Sequence, residues 1–383
     1  MTPSQDPRGG SSYRDAGIDY ETLDAGKRDA LTAALATSPL LAAHGGLAVD
    51  ASRGEPAFVF ELAGRTFGFV LEGLGTKSVI ARQVAQAGGS PSAGAAGFAA
   101  VAQDTVAAIV NDLVCVGALP LVVNAYFATG DSGWYGNEAW HAALVDGWRR
   151  ACEESGATWG GGESPSLPGL VGSEEIEMAG CAVGAVPEGA RALLSDALAP
   201  GDEIVLVASS GLHANGSSLA RMLADRLPDG YATALPSGRS FGDALLDPSV
   251  IYVRLVAELL AAGVPVSYCS HITGHGLLKL MRPDRRLTYR IASLPPVPEV
   301  LTFMVDQAGM DAAEAYRTFN MGAGFAVYTG AGTGEQVAEI ARRLGYDALV
   351  AGAVEEGPRQ VVIEPVGVTY ADQDMDLTPR QVA

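Results

Sequence analysis

Basic residues are scarce in this chain. Lys and Arg number 25 against 44 Asp and Glu in 383 residues, giving a formal net charge of −19. Because nucleic-acid phosphates are held by clustered basic side chains, this balance speaks against a nucleic-acid partner. It leaves room for a free nucleotide, whose phosphates a divalent cation and a few placed basic groups can neutralise locally.

Cysteine is also scarce. The four residues Cys115, Cys152, Cys181 and Cys269 show no Cys-x-x-Cys spacing and sit in apolar stretches. This pattern favours reduced cysteines in the core over disulfides or zinc ligands.

Long hydrophobic runs are missing too. The most extended apolar stretch, residues 113–128, is interrupted by Gly117, Pro120 and Asn124, and the first twelve residues are polar. Such a sequence predicts neither a membrane span nor an export signal. We therefore expect a soluble cytoplasmic protein with no membrane partner.

What the chain does have is length and apolar content. At 383 residues and 48 % hydrophobic composition it can build more than one core, so two domains are expected. One sheet pattern ends and another begins near residues 186–202. We predict an N-terminal domain over 1–190, a C-terminal α/β domain over 191–370 and a flexible tail over 371–383.

Strand and helix patterns alternate along both halves. The spacing of Trp140, Leu144, Trp148 and Cys152 predicts a helix over 137–155. Strands are predicted at Phe58–Leu62, Thr66–Val70, Leu121–Phe127, Ile176–Val186, Ile204–Ala208, around Tyr289, Ala323–Tyr328 and Val361–Glu364. This mixture indicates an α/β or α+β fold.

The segment Leu-Glu-Gly-Leu-Gly-Thr-Lys at 71–77 follows a predicted strand directly. It combines a carboxylate (Glu72), glycines that permit close backbone approach and a Thr76-Lys77 pair suited to phosphate, which points to Mg-nucleotide chemistry. The alternative is an ordinary tight turn.

A predicted helix over 104–117 carries a small, acidic stripe. Asp104, Ala108, Asn111 and Cys115 share one face, with Asp112 at its flank. Two neighbouring carboxylates repel each other unless a cation lies between them, so the stripe is a candidate metal site. A solvated surface is the alternative.

Three further glycine-rich turns carry polar side chains. Gly160-Gly161-Gly162-Glu163 favours close contact with a ligand over a plain loop, because consecutive glycines have a high entropic cost. Ser210-Gly211-Leu212-His213-Ala214-Asn215-Gly216 runs from a strand into a helix starting near Ser217 and suits a phosphate, although capping by Asn215 or Ser217 is as compatible. In His271-Ile272-Thr273-Gly274-His275-Gly276, hydrogen bonding is favoured over metal binding.

Together these segments resemble a known family. Ser12-Tyr13-Arg14-Asp15-Ala16-Gly17-Ile18-Asp19, Gly73 to Lys77, Val110-Asn111-Asp112-Leu113-Val114, Gly161-Gly162-Glu163, Ser210 to Gly216, His271 to Gly274 and Tyr316-Arg317-Thr318-Phe319-Asn320-Met321-Gly322 are similar to aminoimidazole ribonucleotide synthetase, or phosphoribosylformylglycinamidine cyclo-ligase. Each is weak alone, but seven in the same order make a specific match over about residues 12–365.

The resemblance implies a two-domain fold, a homodimer whose first domains join into a barrel-like sheet, and ATP near the dimer contact. It implies ATP-dependent ring closure of formylglycinamidine ribonucleotide in purine synthesis. Catalytic roles are implied for Lys77, His213 and His271, and Mg²⁺ ligation for Glu72, Asp104 and Asp112. The implied nucleotide and substrate contacts are Arg14, Asp15, Gly73, Gly75, Thr76, Lys77, Asn111, Gly161, Gly162, Glu163, Asn215 and Thr273. Replacement of Lys77 by Ala is expected to weaken nucleotide use at unchanged folding.

The chain departs from the family pattern at several positions. Glu72 replaces a usual Asp, Arg14 a usual Lys, Ser166 a usual acidic residue and His275 a usual glycine, and a Gly/Ala/Ser-rich insertion at 88–96 precedes the 104–117 helix. Two alternatives therefore stay open: a diverged ATP-dependent enzyme acting on another amide, amidine or phosphate substrate, and a nucleotide-binding subunit without turnover.

Overall fold

The computed structural model describes residues 20–88 and 91–375. Its first half contains four helices and six strands: α1 (Tyr20–Leu35), β1 (Gly46–Ala48), β2 (Phe58–Leu62), β3 (Arg65–Gly73), α2 (Lys77–Ala87), α3 (Pro91–Cys115), β4 (Leu119–Thr129), α4 (Glu138–Glu154), β5 (Thr158–Glu163) and β6 (Ile176–Ala185). Short 3-10 helices lie at Ser38–His44, Asp50–Ser52 and Ser132–Gly136.

The second half has six helices and seven strands in the described residues: β7 (Glu203–Ala208), α5 (Ser217–Arg226), α6 (Phe241–Leu245), α7 (Val253–Ala261), β8 (Val266–His271), β9 (Leu287–Ile291), α8 (Glu299–Ala308), α9 (Ala312–Thr318), β10 (Ala323–Thr329), α10 (Gly334–Arg343), β11 (Ala348–Glu356), β12 (Gln360–Ile363) and β13 (Val368–Ala371). Further 3-10 turns include Ser195–Ala197, Gly276–Met281 and Asp372–Asp374. The predicted strands and the predicted helix at 137–155 are confirmed.

The first sheet has six strands in the order β1-β2-β3-β6-β4-β5. Its neighbours are antiparallel except β4 and β5, which run parallel. Helix α3 packs on one face, burying Val106, Ile109, Val110 and Leu113 completely. The apolar face of α4 belongs to the core, with Leu144 and Trp148 fully buried. In the single chain this sheet is open.

The second sheet has seven strands in the order β13-β12-β9-β11-β7-β10-β8. The chain passes from one sheet to the other between Ala185 and Glu203. The predicted two-domain α/β fold is therefore confirmed, while the predicted dimeric barrel-like sheet stays a prediction, since the first sheet is not closed among the described residues.

Helix α3 is longer than the sequence pattern predicts. It begins at Pro91, so part of the Gly/Ala/Ser-rich insertion is helical. Within the insertion Gly94 serves packing, since a Cβ there would lie 2.3 Å from the Cβ of Ala85 on α2. Residues 94–115 are long and apolar enough to cross a membrane, but 83 % of the most apolar window is buried inside the protein, which makes α3 a core helix.

The polar stripe of α3 is not a solvated surface. Asp104 and Asn111 are completely buried and Asp112 is 7 % exposed. The stripe faces the second half of the chain, where a segment of residues 247–252 lies along it. The alternative interpretation of this stripe as a solvated surface is therefore wrong.

The predicted tail is ordered where the structure describes it. Arg359 forms an ion pair with Asp372 and donates to the carbonyl of Met375, whose side chain is 2 % exposed. Residues 371–375 therefore belong to the folded C-terminal half, and residues 376–383 lie outside the described part.

Candidate functional site

A cavity of about 390 Å³ lies between the two halves. Residues of β3 and α3 form one wall and residues after β7 and β8 form the other. Of the residues named from sequence, Glu72, Gly73, Asp112, Asn215, His271 and Thr273 line it. The cavity is also lined by Glu55, Ala214, His275, Lys279 and Arg282. The structure thus gathers four sequence-distant motifs around one polar space.

Glu72 and Asp112 form an acid pair at the wall of this cavity. Burial first, and then the neighbouring charge of Asp112 and a hydrogen bond between the two side chains, raises the pKa of Glu72 to about 8. Burial alone would also raise the pKa of Asp112, but hydrogen bonding and the charge of His271, with Lys279 and Arg282, lower it. The pair therefore shares a proton near neutral pH, which a cation could replace.

His271 is tied to this pair. Its Nδ1 lies 2.6 Å from Oδ1 of Asp112, and both side chains are nearly buried. Strand β8 ends at His271, so the sheet itself fixes the ring against α3. This contact orients Asp112, and both residues line the cavity.

Lys77 and Asp104 form a buried ion pair. Nζ of Lys77 lies 2.6 Å from Oδ2 of Asp104, and both side chains are fully buried. The other oxygen, Oδ1, accepts from the Ser249 backbone N–H at 2.7 Å and from its hydroxyl at 2.6 Å. Neither Lys77 nor Asp104 is among the residues lining the cavity. In this structure Lys77 and Asp104 are therefore paired with each other, and Asp104 also binds Ser249 in the second half of the chain.

Asn111 continues the same junction. Its Nδ2 donates to the carbonyl of Val250 at 2.9 Å, and its Oδ1 accepts from the N–H of Tyr252 at 2.8 Å. Both halves of the amide are therefore satisfied by backbone of the 247–252 segment. The side chains on the polar face of α3 are small because the 247–252 segment lies against them.

His213 occupies the turn after β7, with a positive φ of 58°. Its Nε2 accepts backbone N–H groups from Ser210 at 3.3 Å and Val250 at 3.5 Å, which puts the ring proton on Nδ1. Burial, and to a smaller degree the charges of His271 and Lys77, lower the pKa of His213 well below its ordinary value. The neutral ring thereby connects the turn to the 247–252 segment.

Asn320 supports that turn, a role that the motif's composition did not reveal. Its Oδ1 accepts from the Ser209 hydroxyl at 2.8 Å, and its Nδ2 donates to the carbonyl of Gly211 at 2.9 Å. The ring of the neighbouring Phe319 packs against Gly216, since a Cβ at Gly216 would lie 2.6 Å from Cε1 of that ring. The capping alternative for Asn215 and Ser217 is not realised, since α5 has no side-chain cap bond.

Lys279, Arg282 and Glu55 were missed from the sequence. Lys279 stands in the apolar run Leu277–Met281 and is only 8 % exposed. A single lysine within an apolar run was the available signal, because a lysine is seldom buried unless its charge is paired. Glu55 accepts from the hydroxyl of Tyr268, and burial, opposed by Arg282 and Tyr268, raises the pKa of Glu55.

Several predicted residues lie elsewhere. Gly75 and Thr76 line a separate cavity of about 340 Å³, and Thr76 is hydrogen-bonded to Ser218. Gly161, Gly162 and Glu163 are exposed on β5, an edge strand separated from β3 by β4 and β6. A Cβ at Gly162 would meet the Ala125 carbonyl at 2.0 Å, so strand pairing accounts for this glycine. Arg14 and Asp15 lie outside the described residues.

His275 shows why glycine is usual at its position in the resembling family. The residue has a φ of +72°, in the left-handed region that glycine adopts freely. The structure accommodates histidine there with its side chain largely buried beside the cavity.

The two-domain α/β architecture of this chain is shared by solved structures. One chain of the crystal structure of the HypE-HypF complex superimposes with a TM-score of 0.58 at 16 % identity, covering 83 % of this chain and 92 % of that chain. AaThiL complexed with AMPPCP and TMP gives a TM-score of 0.55 at 18 % identity, covering 82 % and 89 %. These likenesses show the shared fold.

Sequence comparison narrows the class to a family. Residues 54–186 match the N-terminal domain and residues 199–364 the C-terminal domain of AIR synthase related proteins. Phosphoribosylformylglycinamidine cyclo-ligase of Anaeromyxobacter sp. (strain Fw109-5) is 39 % identical over 69 % of this chain and 76 % of its own. The Pyrococcus furiosus enzyme of the same name is 30 % identical over 94 % and 99 %. The chain belongs to the AIR synthase related family.

Proposed function

We propose that the protein is a phosphoribosylformylglycinamidine cyclo-ligase, closing the imidazole ring of aminoimidazole ribonucleotide at the expense of ATP. The relatives that carry this name cover up to 94 % of the chain. The observation in the structure that supports the proposal most directly is the Glu72–Asp112 pair at the wall of a cavity between the domains.

The proposed reaction begins with the amide oxygen of the substrate attacking the γ-phosphorus of ATP and releasing ADP. An internal nitrogen then displaces the phosphate from the activated carbon, which closes the ring and releases inorganic phosphate. Phosphoryl transfer depends mainly on positioning and charge neutralisation, so no protein nucleophile is required. The cavity's ordered polar walls supply the positioning.

The residues fit a magnesium ion. Mg²⁺ is commonly held by one or two carboxylates together with substrate phosphates and water. Glu72 and Asp112 provide two such oxygens, and no group of three or more His, Cys, Asp or Glu side chains suited to a metal occurs among residues 20–88 and 91–375. The bound ion would neutralise phosphate charge. Asp104, also predicted as a ligand, is engaged by Lys77 and Ser249 in this structure.

We further propose a homodimer formed through the outer face of the first sheet. On the face opposite α3, Phe69 is 43 % and Leu71 69 % exposed. Contiguous exposed apolar surface of this kind marks an interaction site. A second copy packed on this face would convert the open sheet into a barrel-like one.

A cytoplasmic location is proposed with it. All four cysteines are unpaired, and three of them are buried. Free thiols are typical of a reducing compartment.

The deciding experiment is incubation of pure protein with formylglycinamidine ribonucleotide, ATP and Mg²⁺, followed by detection of aminoimidazole ribonucleotide. Product formation with one ADP per product is expected. ATP consumption only with another amide, amidine or phosphate acceptor would favour a diverged enzyme of the superfamily. Mg-dependent ATP binding without hydrolysis of ATP would favour a subunit that has lost turnover.

A further inference from the structure

Two basic side chains of the cavity, the buried Lys279 and the half-buried Arg282, form no ion pair within 4.0 Å among the described residues. Lys279 and Arg282 both line the cavity, at the end of a 3-10 helix that begins at Gly276. Among the described residues, no hydrogen bond or ion pair reaches the Lys279 ammonium or the Arg282 guanidinium, and Nε of Arg282 is buried without a partner. A buried cation that contacts no anion directly is costly, so these two side chains are suited to an anion supplied from outside.

The carboxylates nearby are already engaged. Asp112 is held by His271, and Glu55 accepts from the hydroxyl of Tyr268. Glu72 shares a hydrogen bond with Asp112. None of the three forms an ion pair with Lys279 or Arg282 within 4.0 Å in the described chain.

The two cations also act on each other. Burial first, and next the positive charge of Arg282, lowers the pKa of Lys279 to about 8, although Asp112 and Glu72 oppose this. An anion that accepts from both side chains would relieve the repulsion and restore the full charge of the lysine.

We propose that Lys279 and Arg282 form a phosphate-binding subsite of the cavity, next to the carboxylates that would hold a cation. The occupant is a phosphate group of a reactant, either the 5′-phosphate of the ribonucleotide or the triphosphate of the nucleotide. The assignment of that occupant rests on the proposed function, whereas the anion site itself does not. The proposed subsite assigns the neutralisation of phosphate charge to Lys279 and Arg282, since Lys77 is already paired with Asp104.

The test is calorimetric titration of the full-length protein with inorganic phosphate, ribose 5-phosphate and a non-hydrolysable ATP analogue plus Mg²⁺. Lys279→Met and Arg282→Met remove the charges but keep the apolar stems. Each is expected to weaken binding of at least one probe by about tenfold or more, the scale of one charge-assisted hydrogen bond. Arg286→Met is the matched control, because Arg286 is exposed, four residues from Arg282, and not part of the cavity lining.

The probes distinguish the source of the phosphate. Loss confined to ribose 5-phosphate assigns the ribonucleotide phosphate, and loss confined to the ATP analogue assigns the triphosphate. Circular dichroism checks folding. If Lys279→Met does not fold, the half-buried Arg282→Met decides.

Unchanged affinity of every probe in the folded variants, or no probe binding to the unaltered protein, overturns the subsite. Failure of the site and failure of the proposed activity have different signatures. Cyclo-ligase turnover with unchanged KM in both variants removes the subsite and keeps the activity. Probe binding that depends on Lys279 and Arg282, without any product, keeps the subsite and removes the activity.

Discussion

At the scale of single residues, Glu72 couples stability to pH. Its carboxyl has a folded-state pKa of about 8 against an ordinary value of 4.5. The native state therefore binds the extra proton, and the associated stability is fully present below pH 4.5 and is lost as the pH rises through about 8. Glu72→Gln imitates the protonated form at every pH.

The expected result is that the unaltered protein loses thermal stability relative to Glu72→Gln between pH 5 and about 8, measured without divalent cations. Mg²⁺ should raise the melting temperature of the unaltered protein more at pH 8 than at pH 6, because binding displaces the proton. Glu163→Gln on the exposed edge strand is the control and should follow the unaltered protein. Parallel curves for Glu72→Gln and the unaltered protein would contradict the assignment.

His275 offers a second residue-scale prediction, on backbone strain. At φ +72° a side chain costs about 1–2 kcal/mol, which glycine avoids. His275→Gly and His275→Ala remove the same imidazole contacts, so their difference isolates the backbone. We expect His275→Gly to be more stable than His275→Ala by about 1 kcal/mol in urea denaturation.

The control for this comparison is Glu339, exposed within helix α10. There the Ala variant should exceed the Gly variant by about 1 kcal/mol, the ordinary helical preference. The same order at both positions would mean that the turn at His275 relaxes when its side chain is removed.

The sequence predicted the elements well and the site in part. Strong patterns, such as the spacing of Trp140, Leu144 and Trp148, report burial directly, because an apolar face must be covered. Motif composition likewise located Glu72, Asp112 and His271, which meet at the cavity. It could not reveal what lies opposite a polar stripe.

At the scale of elements, the polar stripe of α3 is therefore the instructive case. Spacing placed Asp104 and Asn111 on one face, but only the tertiary structure shows that residues 247–252 satisfy both. The two cations of the cavity floor were missed for a related reason. Their role depends on which groups surround them in the folded chain, and a sequence does not show these contacts.

The Lys77–Asp104 ion pair gives the prediction at this scale. Removing one partner of a buried pair leaves the other charge uncompensated, at a cost of about 3–5 kcal/mol. Lys77→Met should therefore destabilise the protein by this amount in urea denaturation, contrary to the expectation of unchanged folding. The double variant Lys77→Met/Asp104→Asn should recover much of the loss, because Asn can still accept from Ser249.

Arg342→Met supplies the surface comparison. Arg342 pairs with Glu335 on α10 with both side chains about half exposed, so its removal should cost less than about 1 kcal/mol. If Lys77→Met is no more harmful than Arg342→Met, the ion pair does not hold α2, α3 and the 247–252 segment together.

At the scale of the whole molecule, the exposed face of the first sheet is the contact of the proposed homodimer. Phe60 stacks on Phe67 across β2 and β3 at 5.5 Å between ring centroids, extending the apolar surface around Phe69 and Leu71. In water such a surface favours association, at about 25 cal/mol per Å² of apolar area covered. The unaltered protein is therefore expected to sediment as a dimer at micromolar concentration.

Leu71→Glu places a charge at the centre of this face, where burial against a second copy would leave it unpaired. We expect this variant to sediment as a monomer with unchanged circular dichroism, because Leu71 points away from the protein's own core. Leu170→Glu is the control: Leu170 is more exposed, at 81 %, but lies in the loop between β5 and β6. A dimer that survives Leu71→Glu, or dissociates equally in Leu170→Glu, would place the contact elsewhere, since only the sheet face predicts a difference between the two leucines.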